Sequence, residues 1–158
     1  MLLLAARHQP RVQVVDVIFG TDGDNTLRGV KGIQNQIFGE DGNDKVVGRE
    51  LDDLLAGGEG DDTVNGGDGN DQIWGDAGND RINGGRGDDT LFGDDGDDRI
   101  NGGEGNDKLS GGKGDGRLFG GEGDDWLSGG AGGPVVSPST CRRARRRSGP
   151  TSRCGATS

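Results

Sequence analysis

Eight aspartates stand nine residues apart without a break: Asp44, Asp53, Asp62, Asp71, Asp80, Asp89, Asp98 and Asp107. Asp125 keeps the same phase after an interruption at Gly116. Oxygen donors repeated at a fixed interval suit a hard divalent cation, which takes several carboxylate and carbonyl ligands. They are better accounted for as cation ligands than as catalytic acids. The rest of the chain offers little to catalysis. His8 is the only histidine, so a zinc-protease H-E-x-x-H site is absent. Neither a Ser-His-Asp nor a Cys-His set can be assembled, and no enzymatic activity is expected.

The aspartates belong to a longer pattern. From Gly57 the sequence reads GGEGDDTVN, GGDGNDQIW, GDAGNDRIN, GGRGDDTLF, GDDGDDRIN, GGEGNDKLS, six units over residues 57–110 in one register. Position 1 is Gly, position 4 Gly, position 6 Asp and position 8 Val, Ile or Leu. Residues 39–47 and 120–128 match fully. Residues 20–28 place Asn25 at the aspartate position, 48–56 place Leu51 at the fourth, and 111–119 place Gly116 at the sixth. Residues 29–38 carry one extra residue, and 11–19 read as a worn first unit with Asp16 and Ile18 in phase. A period of this length marks a solenoid. The chain therefore divides into an irregular segment at 1–19, a repeat block at 20–132 and a tail at 133–158.

Each unit states its own local structure. Glycines at positions 1 and 4 allow positive φ and close backbone approach, which predicts a turn over the first six residues. The last three, as in Thr63-Val64-Asn65, alternate polar, apolar, polar and predict a short strand with one inward side chain. Such a strand is useful only when stacked on copies of itself. Two units make one coil, so unit n stacks on unit n+2. About six coils at ~4.8 Å spacing give a rod roughly 30 Å long. Trp74, Trp126, Phe38, Phe92 and Phe119 fall at strand positions 7 or 9. They are read as surface packing or as contacts with a flanking domain.

Composition and charge explain why a cation is needed. The chain has 158 residues, 36 of them glycine, and only 27% are hydrophobic. One aliphatic side chain per nine residues buries too little apolar surface to offset chain entropy. Residues 1–133 hold all 28 acids against 12 of the 18 bases, a net −16. Such a block repels itself and repels nucleic acid. Stacking sets Asp44, Asp62, Asp80 and Asp98 along one edge, with Asn25 and Gly116 at its ends. Asp53, Asp71, Asp89, Asp107 and Asp125 form the other. Each neighbouring pair on an edge is a candidate calcium site. Carbonyls of the glycine turns are expected to join them, from Gly58, Gly60, Gly67, Gly69, Gly78, Gly85, Gly87, Gly96, Gly103 and Gly105. The seven pairs imply about six to seven Ca²⁺, whose roughly 12–14 positive charges approach the −16 of the block. Binding free energy then becomes folding free energy, and the metal-free chain is expected to be largely disordered.

These units closely resemble the repeats-in-toxin, or haemolysin-type, calcium-binding family, whose unit is G-G-x-G-x-D-x-(aliphatic)-x. The resemblance covers about residues 20–132. It implies an all-β, right-handed parallel β-roll with calcium held between stacked turns. It also implies a secreted, extracellular bacterial protein that folds on meeting millimolar calcium. In this family such blocks usually follow a protease, lipase or toxin domain, and a structural or adhesive spacer is the other reading. The tail departs from the family. It lacks acids, carries six arginines, holds both cysteines (Cys141 and Cys154) and is unlike the family's secretion signal. It reads as basic and disordered, the product of a frameshift or gene fragment. Leu2-Leu3-Leu4-Ala5-Ala6 is too short for a signal-peptide core, and no window reaches the length of a membrane-spanning helix.

Overall fold

The computed structural model describes residues 14–131. The tail, its two cysteines and His8 lie outside the described residues, and so do the readings made of them. Within 14–131 the chain is all strand and turn. The odd-numbered strands build one parallel sheet: β1 (Val15–Phe19), β3 (Gln34–Asp41), β5 (Leu54–Glu59), β7 (Gln72–Ala77), β9 (Thr90–Asp95), β11 (Lys108–Ser110) and β13 (Trp126–Ser128). The even-numbered strands build a second: β2 (Thr26–Arg28), β4 (Lys45–Glu50), β6 (Thr63–Asp68), β8 (Arg81–Arg86), β10 (Arg99–Glu104) and β12 (Arg117–Glu122). Successive strands alternate between the sheets, which is a β-roll.

The register follows from the period. Val64 lies opposite Val46 and Ile82, and Ile73 lies opposite Leu55 and Leu91. Two nonads thus return the chain one coil higher with every side chain in phase. Position 8 points inward throughout. Ile37, Leu55, Ile73, Leu91, Leu109 and Leu127 fill one side of the core, and Val46, Val64, Ile82, Ile100 and Leu118 the other. Ile18 and Leu27, partly buried, continue it toward the amino-terminal end.

Two local expectations are corrected. The strands are longer than three residues: Thr63–Asp68 runs from position 7 through position 3 of the next unit. Glycine at position 1 extends the strand because its missing side chain lets it take the second inward place, as the buried Gly66 does two residues after Val64. Position 1 also lacks positive φ. Positive φ falls at positions 2 and 4, at +115° for Gly58 and +127° for Gly60. The turn is confined to positions 4–6.

The insertion in 29–38 is absorbed in a turn. Asn35 comes back into phase opposite Asp16, and Ile37 opposite Ile18. Positions 7 and 9 face outward on the sheets. Phe19 stacks on Phe38 at 5.2 Å, and Trp74 on Phe92 at 5.7 Å, in files one coil apart. On the opposite sheet the Asn65, Asn83 and Asn101 amides form a hydrogen-bonded ladder at 2.6 and 2.7 Å. Arg99 lies 5.6 Å above the Phe119 ring.

Candidate metal centre

The turn at positions 4–6 delivers the aspartates to the two edges of the roll, one per coil on each edge. Where the next coil carries an aspartate, the position-6 backbone N–H donates to its Oδ1. Asp44 donates to Asp62 at 2.7 Å, Asp62 to Asp80 at 2.8 Å and Asp80 to Asp98 at 3.0 Å. The other edge repeats this from Asp53 to Asp71, Asp89, Asp107 and Asp125 at 2.8–3.0 Å. The irregular turn at Leu51 leaves the Asp53–Asp71 link at 2.8 Å. Its cost falls instead on Leu51 itself, which is half exposed with a φ of +69°.

Each carboxylate is thus half used. Asp44, Asp53, Asp62, Asp71, Asp80, Asp89, Asp98 and Asp107 are all at most 3% exposed. In each, Oδ2 is buried and has no hydrogen-bond partner. A buried carboxylate oxygen with no donor is costly. Its surroundings make matters worse. The point where a side chain on Gly75 would begin is bordered by Oδ2 of Asp80 and, at 2.8 Å, by the carbonyl of Gly93. Gly57, Gly66, Gly84, Gly93 and Gly102 repeat the arrangement, each against its own aspartate and the next coil's carbonyl. An acceptor beside an acceptor, both buried, calls for a cation, and an all-oxygen donor set is what calcium takes. The residues therefore fit the ion. Among the described residues no three acidic, histidine or cysteine side chains converge on one point. The carboxylates stand in file, so backbone carbonyls must complete any site.

The electrostatics agree. Burial pushes the Asp71, Asp80 and Asp107 carboxyls up to about 7 and those of Asp62 and Asp89 to about 6, with neighbouring carboxylates adding to the rise. The backbone N–H bonds oppose it. Asp53, Asp98 and the half-buried Asp125 are raised by burial as well. A carboxyl whose pKa is higher in the fold than in the unfolded chain destabilises the fold above its folded pKa. The penalty shrinks as pH falls and is gone below the unfolded value, which is 3.8 here. In chelator, far-ultraviolet circular dichroism should therefore show the chain gaining β signal as pH is lowered from 8 to 5. A chelated chain that steadily loses β signal over that range would contradict the buried-carboxylate geometry.

Of the glycines named in the sequence as turn carbonyl donors, Gly60, Gly69, Gly78, Gly87, Gly96 and Gly105 sit in the turn at position 4, whereas Gly58, Gly67, Gly85 and Gly103 lie at position 2 near the strand ends; all have positive φ. Sequence reasoning missed two features. One is the position-1 carbonyl, which the structure brings beside Oδ2. The other is position 5, whose side chains form an outer ladder. Asp61 N–H donates to Asn43 Oδ1, Asn79 N–H to Asp61 and Asp97 N–H to Asn79. On the other edge Asn70 donates to Asp52, Asp88 to Asn70 and Asn106 to Asp88. The signal was present, because position 5 is Asn or Asp in every regular unit from Asp24 to Asp124. Such a side chain accepts from the backbone one coil on, so it fixes the turn.

Comparison with known proteins gives one match. A family model for the RTX calcium-binding nonapeptide repeat matches residues 15–32, 34–55, 47–82, 74–109 and 110–133. No curated protein and no solved structure matches the chain.

Proposed function

Because the chain belongs to the RTX calcium-binding nonapeptide repeat family, we propose that it is a module folded by calcium, which lodges between successive turns on both edges of the roll. The observation that carries this reading is the file of buried Oδ2 atoms without donors. Asp44, Asp62, Asp80 and Asp98 would hold ions on one edge, and Asp53, Asp71, Asp89, Asp107 and Asp125 on the other. Backbone carbonyls complete each set, from the position-2 and position-4 glycines and from position 1. Calcium supplies two positive charges where carboxylates otherwise face one another and carbonyl oxygens. The count is about six to seven ions per chain, one per aspartate pair.

The same reading places the chain outside the cell, where calcium is plentiful, and leaves any catalysis to other parts of a host polypeptide. The host would be a protease, lipase or toxin, or else a surface protein using the roll as a spacer. No helix among the described residues is long and apolar enough to cross a membrane. Coding sequence on either side of the repeats separates the hosts: an effector domain favours the first, further repeats the second.

The test is circular dichroism during a calcium titration, with magnesium as control. β signal should rise cooperatively with millimolar calcium. Magnesium should not replace it, because it keeps its waters and demands small octahedral sites. A chain whose spectrum ignores calcium would refute the proposal.

A further inference from the structure

On each edge an asparagine, Asn25 or Asn35, stands directly before the unbroken run of aspartates, and on the Asn35 edge Asp16 lies one coil before it. Asn35 is fully buried, at 0% exposure. Its backbone N–H donates to Asp53 Oδ1 at 2.6 Å, as each position-6 residue does to the next. Its side chain departs from the pattern. Nδ2 donates to Asp53 Oδ1 at 2.9 Å and to the Ile33 carbonyl at 2.9 Å, and it reaches the Gly48 carbonyl at 3.5 Å. Its Oδ1 accepts from Val30 N–H at 2.8 Å.

Position matters more than the count of bonds. A side chain on Gly29 would begin 2.6 Å from Asn35 Nδ2, beside the Gly48 carbonyl. In the later coils the same point is bordered by a carboxylate Oδ2 and a position-1 carbonyl. An N–H₂ donor thus stands where the other coils put an orphaned acceptor. On the opposite edge the half-buried Asn25 also supplies amide donors, to carbonyls of its own unit. Its backbone N–H donates to Asp44 Oδ1 at 2.6 Å, and its Nδ2 donates to the carbonyls of Thr21, at 3.1 Å, and Gly23.

The structure assigns Asn35 and Asn25 as end stops of the cation files: their amides take the place of an ion, and the gaps between Asn35 and Asp53 and between Asn25 and Asp44 bind no calcium. This rests on the calcium reading above. An amide brings hydrogen-bond donors without charge, so it satisfies the facing oxygens of one coil and gives a cation no second carboxylate. The coil before each metal file is therefore closed by the protein's own groups, and the files begin at the Asp44/Asp62 and Asp53/Asp71 gaps. The far end of the first file is built differently. Gly116 offers Asp98 no side chain at all, and a side chain there would begin 3.2 Å from the Asp98 carbonyl, at a backbone without positive φ.

The test counts bound calcium on the folded full chain by native mass spectrometry and equilibrium dialysis. Asn35→Asp should bind at least one ion more than the unaltered chain. Asp53→Ala should bind one ion fewer, since only its gap with Asp71 is lost. An Asn35→Asp count equal to that of the unaltered chain overturns the assignment. So does loss of two ions in Asp53→Ala, which would mean that the asparagine gap holds calcium; this second variant decides the matter even if Asn35→Asp does not fold. An unaltered chain that binds no calcium at all would refute the calcium reading instead.

Discussion

Asp80→Ala will cost the roll two calcium ions, whereas Asp98→Ala will cost one. Asp80 lies between Asp62 and Asp98 in the file, donating its N–H to Asp98 Oδ1 at 3.0 Å and accepting from Asp62 N–H at 2.8 Å. Its removal opens two gaps. Asp98 has an aspartate on one side only, because the next coil carries Gly116. The contrast is insensitive to the absolute number of ions, which makes it the sharper measurement. Since ion binding is folding free energy here, the calcium midpoint by circular dichroism should rise in both variants and more in Asp80→Ala. Equal losses of ion, or an unchanged midpoint in Asp80→Ala, would show that ions do not bridge successive coils. Asp89→Ala, flanked by Asp71 and Asp107 on the other edge, should behave as Asp80→Ala does.

Gly78→Ala will disrupt the calcium-loaded roll through the backbone alone. Gly78 has φ +141°, a region nearly confined to glycine, and a side chain there would run into the Gly60 carbonyl one coil below. The conformational strain alone is worth about 1–3 kcal/mol. Moving Gly60 to relieve the overlap would break the bond from its N–H to the Ala77 carbonyl, 2.7 Å long. In saturating calcium the thermal midpoint should fall by roughly 5–10 °C. Gly116→Ala is the control. With ordinary φ and a nearest contact of 3.2 Å, to the Asp98 carbonyl, it needs only a small local shift and should melt much closer to the unaltered chain than Gly78→Ala does. Equal melting of Gly78→Ala and the unaltered chain would mean that the coils are not stacked as closely as described.

Much of this was legible in the order of residues. A nine-residue period with one aliphatic position and two coil-forming halves admits one stacking, in which residue i meets i+18. The sheets obey it at every pairing from Gln36 opposite Leu54 to Arg99 opposite Arg117. The inward role of Val64 or Ile73 and the two files of aspartates follow from that phase alone. The period is a local property repeated, and repetition makes long-range contacts predictable.

What stayed hidden depended on distances between coils rather than on spacing within one. Position 1 needs glycine because a carbonyl and a carboxylate crowd its missing side chain, not because of its φ, and only the stacked neighbour reveals this. The position-5 ladder was visible as a composition bias but had no meaning until the next coil's N–H arrived. Asn35 is the clearest case. One inserted residue threw its unit out of phase in the sequence, and the turn absorbed the insertion, returning its amide to the aspartate file. The sequence by itself determined that aspartates would stand in two files and need a cation. Tertiary structure decided which oxygen of each is left without a donor, and where each file ends. The physical reason is that a hydrogen bond across coils consumes one lone pair and not the other, a choice made only when the neighbouring backbone is in place.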